Sequence, residues 1–458
     1  MKSAAPGAAH ARWKPAQLLV VALFAAGQAL LWLAYYGNGT KRLIGDEQNY
    51  QDVALAILGG GAWMPSTIWP PLQPLFLAAI YAIAGVHVLA VQLVQTLLIV
   101  GCAIVLRAIW RRVGGVRAAN IAAGLFLLNP SNAAYAEWLW PEAPHLFLVL
   151  IAFWLVLERP ESRAASFGAG ASVAFALLAK SLLAGFWPVF LIAFLRPTRP
   201  RFRTGSAAMF LLGIALVTAP ALWHGWREFG KPMIADSSLY NAWIGLTDRW
   251  RSDYIEDQGG VTLPEFLASG TTPQQRNAVY AEKIEALLDE RGIATVVADQ
   301  LGRQYFRLFS AKTPLLSQLP GPACAGHLSA YATPPWLTNT LTGASDVFHA
   351  ATLVGFAFGI ACWRRRPDRA LWLIGAYLVY QLALFGILHV KARFLFPMMP
   401  FLCAFAGSFF AAWPVRDSGF ARDPLAFTRP RLIVGSLLAV LLMVLAFAGP
   451  LLDPSCAR

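Results

Sequence analysis

Charge is scarce in this chain. Only 13% of its 458 residues are Asp, Glu, Lys or Arg, about half the share of an ordinary soluble domain, while 57% are apolar. That imbalance excludes a water-soluble enzyme, because apolar stretches of about 20 residues crossing about 30 Å of hydrocarbon dispose of such a surplus more directly than one very large core. Cysteine is sparse too. Cys102, Cys324, Cys362, Cys403 and Cys456 fall in no CxxC or Cys/His spacing, which argues against a zinc site or a disulfide framework. There is no glycine-rich dinucleotide fingerprint, so no nucleotide-sugar fold is expected. No repeat relates two halves, as it would in a duplicated transporter, and no low-complexity linker is present. Acidic residues are outnumbered, giving a net charge of +13, but the basic residues form no single patch, which argues against nucleic acid as a partner.

What remains is an all-α polytopic membrane protein. Apolar runs place eleven spans near residues 17–36, 87–109, 118–136, 139–157, 166–179, 182–195, 205–222, 347–363, 370–388, 394–413 and 432–449. The N-terminal run is too long for a signal-peptide core and lacks a small-residue cleavage site, so it reads as an uncleaved first span. Short basic clusters at Arg107–Arg117, Arg159–Arg163, Arg196–Arg203, Arg364–Arg369 and Arg416–Arg431 fall on one side with the N-terminus, as the positive-inside preference requires. The stretch Pro71–Val86 is too short and too rich in proline to cross, and reads as a re-entrant or interfacial helix on the outer face. The pair 166–179 and 182–195, with Lys180 at the bend, is open to a second reading as one tilted span. Three parts follow: residues 1–222 as an N-terminal membrane module whose first outer loop (37–86) carries an acidic motif, 223–345 as a small outer subdomain, and 346–458 as C-terminal spans. Within the second part, Gln274–Leu308 has the pattern of an amphipathic helix.

The ionisable residues of interest stand at the outer ends of spans. Asp46 and Glu47 lie side by side in Gly45-Asp46-Glu47-Gln48-Asn49-Tyr50; carboxylates at a membrane edge are functional candidates, although Asp46 would also serve simply to cap a helix. Glu137 and Glu142 follow the Asn129-Pro130 break, and Glu142, directly after Pro141, suits a helix first turn with or without a function. Opposing them are Lys180 and the run His389-Val390-Lys391-Ala392-Arg393, whose outer location suits either a bound anion or snorkelling to lipid phosphate.

In order along the chain, these residues resemble the GT-C superfamily of polyprenyl-phosphate-sugar-dependent glycosyltransferases, in the glycosyltransferase family 39-like branch of protein O-mannosyltransferases and lipid A aminoarabinose transferases. Asp46-Glu47 with Tyr50 and Ala54 is similar to the family's first-loop acidic motif. Trp69-Pro70-Pro71-Leu72-Gln73-Pro74-Leu75 is similar to its Pro-Pro-Leu-x-Pro segment. Asn129-Pro130 followed by Glu142 resembles its second acidic position, and Leu177-Leu178-Ala179-Lys180-Ser181 its Leu-Leu-Thr-Lys turn. Arg393-Phe394-x-x-Pro397-x-x-Pro400 resembles a late Arg-Tyr-x-x-Pro-x-x-Pro, and Tyr240-Asn241-Ala242-Trp243-Ile244-Gly245 the opening of the large outer loop. Ala179 and Pro141 depart from the family's usual residues, and the outer part is small with no appended sugar-binding repeats.

The resemblance implies transfer of a sugar from a polyprenyl-phosphate donor to a lipid, glycan or protein hydroxyl. The charges suit that reaction. Lys180, His389, Lys391 and Arg393 are the candidates for holding the departing phosphate. Asp46 is the expected base, with Glu47 second and Glu142 auxiliary, in a one-step displacement that inverts the anomeric centre. Tyr50, Trp69, Pro71, Tyr240 and Asn241 are expected at the substrate or lipid groove. No cofactor is expected: Asp46, Glu47 and Glu142 offer oxygen ligands for a divalent ion, but the cations already at hand make a metal unnecessary. The expected setting is a bacterial inner membrane, with the site facing the periplasm. A flippase or transporter of lipid-linked sugars, or an oligosaccharide ligase of the outer face, would draw on similar charges.

Overall fold

The computed structural model describes residues 15–38, 41–43, 45–64, 68–195, 203–247, 259–320, 333–364, 368–412 and 424–448. Cys324, Cys456 and much of the basic clusters at 196–203 and 416–431 lie outside the described residues. Among the described residues the architecture is helical, and the β contact present is an isolated bridge between Trp363 and Leu425. The N-terminal half runs through α1 (Pro15–Asn38), α2 (Asp46–Leu58), α3 (Leu72–Ala84), α4 (Val88–Val113), α5 (Val116–Leu128), α6 (Pro130–Ala133), α7 (Glu142–Glu158), α8 (Arg163–Ala179) and α9 (Thr204–Phe229). Beyond it come α10 (Ser238–Thr247), α11 (Gly259–Ala268), α12 (Pro273–Arg291), α13 (Ile293–Arg303), α14 (Phe306–Phe309), α15 (Pro335–Ala361), α16 (Arg369–Leu384), α17 (Met399–Ala412) and α18 (Arg429–Phe447).

Four of these helices, α4, α9, α15 and α18, are long and apolar enough to cross a bilayer, and shorter apolar helices pack among them. Their outer faces leave Leu97, Leu216, Val347 and Leu437 exposed, as lipid-facing surfaces require. The chain is therefore a polytopic helical membrane protein. Its core is aromatic: Phe153 contacts Phe186, Phe190, Tyr377 and Phe401, tying together segments from residue 153 to residue 401. Helices α8 and α9 lie side by side in parallel and meet on glycine. A side chain at Gly170 would run into the Phe210 carbonyl and one at Gly213 into the Phe167 carbonyl, so the two backbones meet directly.

Four expected elements differ in detail. The third span stops at Leu128 instead of 136, because Pro130 disfavours helix at Asn129, whose side chain then caps the short α6 by accepting the Ser131 N–H at 2.9 Å. The expected span 182–195 is not α-helix: Ser181–Leu183 and Trp187–Phe194 are 3-10 turns, with Pro188 removing a donor that an α-helix would use. Its Leu183, Phe186, Phe190 and Phe194 are fully buried, which is where a membrane protein tolerates irregular backbone. The tighter winding rises about 2.0 Å per residue instead of 1.5, so a short segment reaches nearly as far as a longer α-helix. The span at 394–413 opens with a 3-10 turn, Ala392–Leu395, before α17. The amphipathic stretch 274–308 is divided into α12, α13 and α14, its first break at Gly292 with φ 73°.

The short stretch after Pro71 forms α3, which packs against α2, α4 and α8. In the outer segment, Tyr240, Trp243, Ile244, Phe266 and Tyr280 build a separate small core with Ile68. That unit docks on the loop before α17. Gln300 Nε2 donates to the Leu388 carbonyl at 2.7 Å and the His389 N–H to the Asn241 carbonyl at 3.3 Å, while within the unit Gln304 Nε2 ties α13 to α10 through the Gly245 carbonyl at 2.5 Å.

Candidate active site

Four chain segments bring charge to one place. Gly45, with φ 57° that glycine adopts at little cost, turns the chain into α2 so that Asp46 opens its first turn. Glu142 opens α7 directly after Pro141, where the helix dipole favours a carboxylate. Lys180 stands at the end of α8 in extended backbone, and Arg393 lies on the 3-10 turn Ala392–Leu395. Lys180 Nζ is 2.8 Å from Glu142 Oε1, and Arg393 Nη2 is 3.1 Å from Asp46 Oδ2. Arg393 Nε stands 4.0 Å from that same Glu142 oxygen, linking the two pairs into one cluster.

The floor of the cluster is aromatic. The Arg393 guanidinium lies 4.5 Å from the Trp140 ring centroid, and Lys180 Nζ 5.2 Å from that of Phe394. Exposure is graded across it: the side chain of Asp46 is 34% accessible, that of Arg393 21% and that of Glu142 2%. Asp46 thus faces outward while Glu142 forms the buried end. Burial and the neighbouring Arg393 lower the Lys180 pKa, an effect opposed by Glu142. Tyr50 is pushed up by burial and then by Asp46 and Glu142.

Tyr50 meets the Trp69 ring edge-on at 6.1 Å, and both line a small hollow with Trp63, Met64, Pro71 and Pro74. Of the expected groove residues, Tyr50, Trp69 and Pro71 therefore share one apolar hollow beside the charges. Tyr240 and Asn241 do not join it. Tyr240 is buried in the outer core with its hydroxyl 3.1 Å from Thr262 Oγ1, and Asn241 Nδ2 donates to the Ser237 carbonyl at 2.8 Å. Both lie on α10, whose Asn241 carbonyl accepts the His389 N–H.

Glu47 turns away as well. Its carboxylate is fully buried 2.7 Å from Lys41 Nζ and accepts the Leu139 N–H at 2.8 Å, while Lys41 also donates to Gln318 Oε1 at 2.8 Å. Successive helical residues point about 100° apart, so of the adjacent acids one faces the cluster and the other the interior. Glu137 lies apart from Glu142; it accepts from Gln92 Nε2 at 2.9 Å, and burial raises its pKa to about 8 against the lowering effect of Lys41.

His389 is buried, and its pKa is lowered well below the usual range by burial and then by Lys391, Arg393 and Lys180. It is neutral near pH 7 and adds no charge to the cluster, whereas Lys391 is half-buried close enough to act on it. Trp140 and Lys41 were not singled out by sequence. The aromatic run Trp138-Leu139-Trp140-Pro141 immediately before Glu142 was the available signal for the first. Among the described residues, no group of three or more His, Cys, Asp or Glu is arranged to hold a metal ion.

Residues 69–224, which hold Trp69, Pro71, Glu142 and Lys180, match the family described as dolichyl-phosphate-mannose-protein mannosyltransferase. No curated protein matches the chain by sequence. In fold it is similar to the apo oligosaccharyltransferase of Archaeoglobus fulgidus, with 13% identity and a TM-score of 0.50 over 96% of this chain and 56% of that one. It is also similar to ArnT from Cupriavidus metallidurans bound to undecaprenyl phosphate, with 16% identity and a TM-score of 0.41 over 95% of this chain and 72% of that one. The chain thus has the fold of the GT-C membrane glycosyltransferases, and its segment 69–224 is similar in sequence to their dolichyl-phosphate-mannose-protein mannosyltransferase family.

Proposed function

We propose that this chain is an integral-membrane glycosyltransferase that moves a sugar from a polyprenyl-phosphate carrier to an acceptor hydroxyl on the extracytoplasmic face, with inversion at the anomeric carbon. The observation that carries the proposal is the convergence of Asp46, Glu142, Lys180 and Arg393, spread over 347 positions of sequence, in one cluster beside an apolar hollow. The donor class is supported by the family that segment 69–224 resembles.

Cleavage of the sugar–phosphate bond sends an electron pair to a phosphate oxygen, turning a phosphodiester of charge −1 into a monoester approaching −2. Fixed cations stabilise the charge as it develops. Lys180 and Arg393 supply them at the buried end of the cluster, and Lys391 extends the positive field. The acceptor oxygen bonds to the anomeric carbon from the opposite side, and its proton passes to Asp46, the more exposed carboxylate. Glu47 is not the base in this scheme, because its carboxylate is committed to Lys41. The hollow of Tyr50, Trp63, Trp69 and Pro71 receives the first isoprene units. His389 acts as a neutral packing group beside the Phe394 ring, 5.1 Å away. A bacterial inner membrane with the cluster on the periplasmic side is the proposed setting, and no step requires a metal.

Membranes supplied with a panel of radiolabelled polyprenyl-phosphate sugars are expected to pass label from at least one donor into a glycan, lipid or protein fraction. Asp46→Asn is expected to stop that transfer while donor binding persists. Label that crosses the bilayer yet never leaves its carrier would replace the enzyme with a flippase.

A further inference from the structure

The two cations assigned to phosphate are not idle: a single carboxylate oxygen, Glu142 Oε1, stands 2.8 Å from Lys180 Nζ and 4.0 Å from Arg393 Nε. This is where an oxygen of a phosphate bridging the two cations would sit. The carboxylate is also poorly anchored for a buried group. Its second oxygen, Oε2, is buried without a hydrogen-bond partner, and Arg393 Nε is a buried donor without an acceptor. Unmade hydrogen bonds of this kind are costly, and one incoming oxygen able to approach Nε more closely would satisfy the guanidinium.

Resting on the function proposed above, we infer that Glu142 is a positioning residue that holds the seat of the donor phosphate: it keeps Lys180 and Arg393 aligned, gives way when phosphate arrives, and competes with the product phosphate for the same cations. The competition has a direction. The phosphodiester donor carries one negative charge and the monoester product nearly two, so a carboxylate facing the seat repels the product more strongly than the donor. Glu142 thereby trades donor affinity for product release. Asp46, bonded to Arg393 from the exposed side, is the carboxylate assigned to the acceptor.

The test compares undecaprenyl phosphate with undecaprenol, its uncharged analogue, as ligands of the full chain in nanodiscs. Glu142→Gln is expected to bind undecaprenyl phosphate about tenfold tighter or more with undecaprenol unchanged, and to lower kcat and donor KM together as product release slows. Glu142→Asp, whose carboxylate retreats by one methylene from Lys180, is expected to shift the same way by less, and reads the effect even should the glutamine variant fail to fold. Unchanged or weaker binding of the phosphate lipid in variants that remain folded would overturn the role of Glu142 and leave the proposed reaction standing. Wild-type protein that does not distinguish the two lipids would overturn both.

Discussion

Replacing Lys41 by methionine tests whether the first acidic motif is divided between chemistry and anchorage. The Lys41–Glu47 pair is 2.7 Å long with both side chains essentially inaccessible. At that separation and an effective dielectric of 20, the attraction is about 6 kcal/mol before desolvation is subtracted. Removing one member strands the other. Glu47 would retain the Leu139 N–H but lose its cation, and Gln318 Oε1 would lose the same donor. Breaking a buried pair in this way typically costs about 3–5 kcal/mol. The exposed Arg112–Glu158 pair, 3.0 Å long with side chains 56% and 26% accessible, is the internal control and should lose no more than about 1 kcal/mol. Equilibrium unfolding in mixed micelles, followed by tryptophan fluorescence, compares the two. Lys41→Met combined with Glu47→Gln should recover most of the loss, since the glutamine oxygen still accepts from Leu139. A Lys41→Met protein as stable as wild type, or a double variant no better than the single, would refute the assignment of Glu47 to anchorage and return it to contention as the base.

Asp46→Asn should lower transfer by about 10²–10⁴-fold, the usual contribution of a general base, with little change in unfolding free energy because its pair is partly exposed. Arg393→Lys should weaken undecaprenyl phosphate binding, since a single ammonium cannot face Asp46 and the phosphate seat at once as the guanidinium fork does; a binding isotherm checks this. Glu137 should make stability fall as pH rises from about 4.3 towards 8: the unfolded carboxyl ionises first, while the buried one keeps its proton to about 8. Glu137→Gln should flatten that slope in unfolding measurements at pH 5, 6.5 and 8. Gly245→Ala should reduce transfer, because its Cβ would lie 2.5 Å from the Ile387 carbonyl and push back the loop that carries Lys391 and Arg393; turnover beside an unchanged oligomeric profile reads it.

Much of the fold could be read from apolar runs, because a bilayer selects length and hydropathy more strongly than any other feature. The run at 182–195 was readable as buried but not as 3-10 turn, since hydropathy is indifferent to how tightly a backbone winds; Pro188 was the clue. The cluster was legible for a related reason. Charges at the ends of apolar runs are expensive enough to need a purpose, and Asp46, Glu142, Lys180 and Arg393 all stood out that way. What could not be read was direction. Asp46 and Glu47 are adjacent and chemically alike, and only the position of Lys41 separates them. Tyr240 and Asn241 fell in a suggestive motif, but which face of α10 met the outer core depended on Phe266 and Tyr280, far along the chain.

The glycine seam between α8 and α9 bears on how the cluster adapts to ligands of different bulk. Backbones that touch have no long side chains to yield, so Lys180, at the C-terminal end of α8, behaves as a fixed post. Arg393 is mounted differently, on a short turn whose preceding loop is gripped by Gln300 and Asn241 of the outer unit. Adjustment therefore falls to the arginine arm, and an acceptor pressing on the outer unit has a direct mechanical route to that jaw of the clamp.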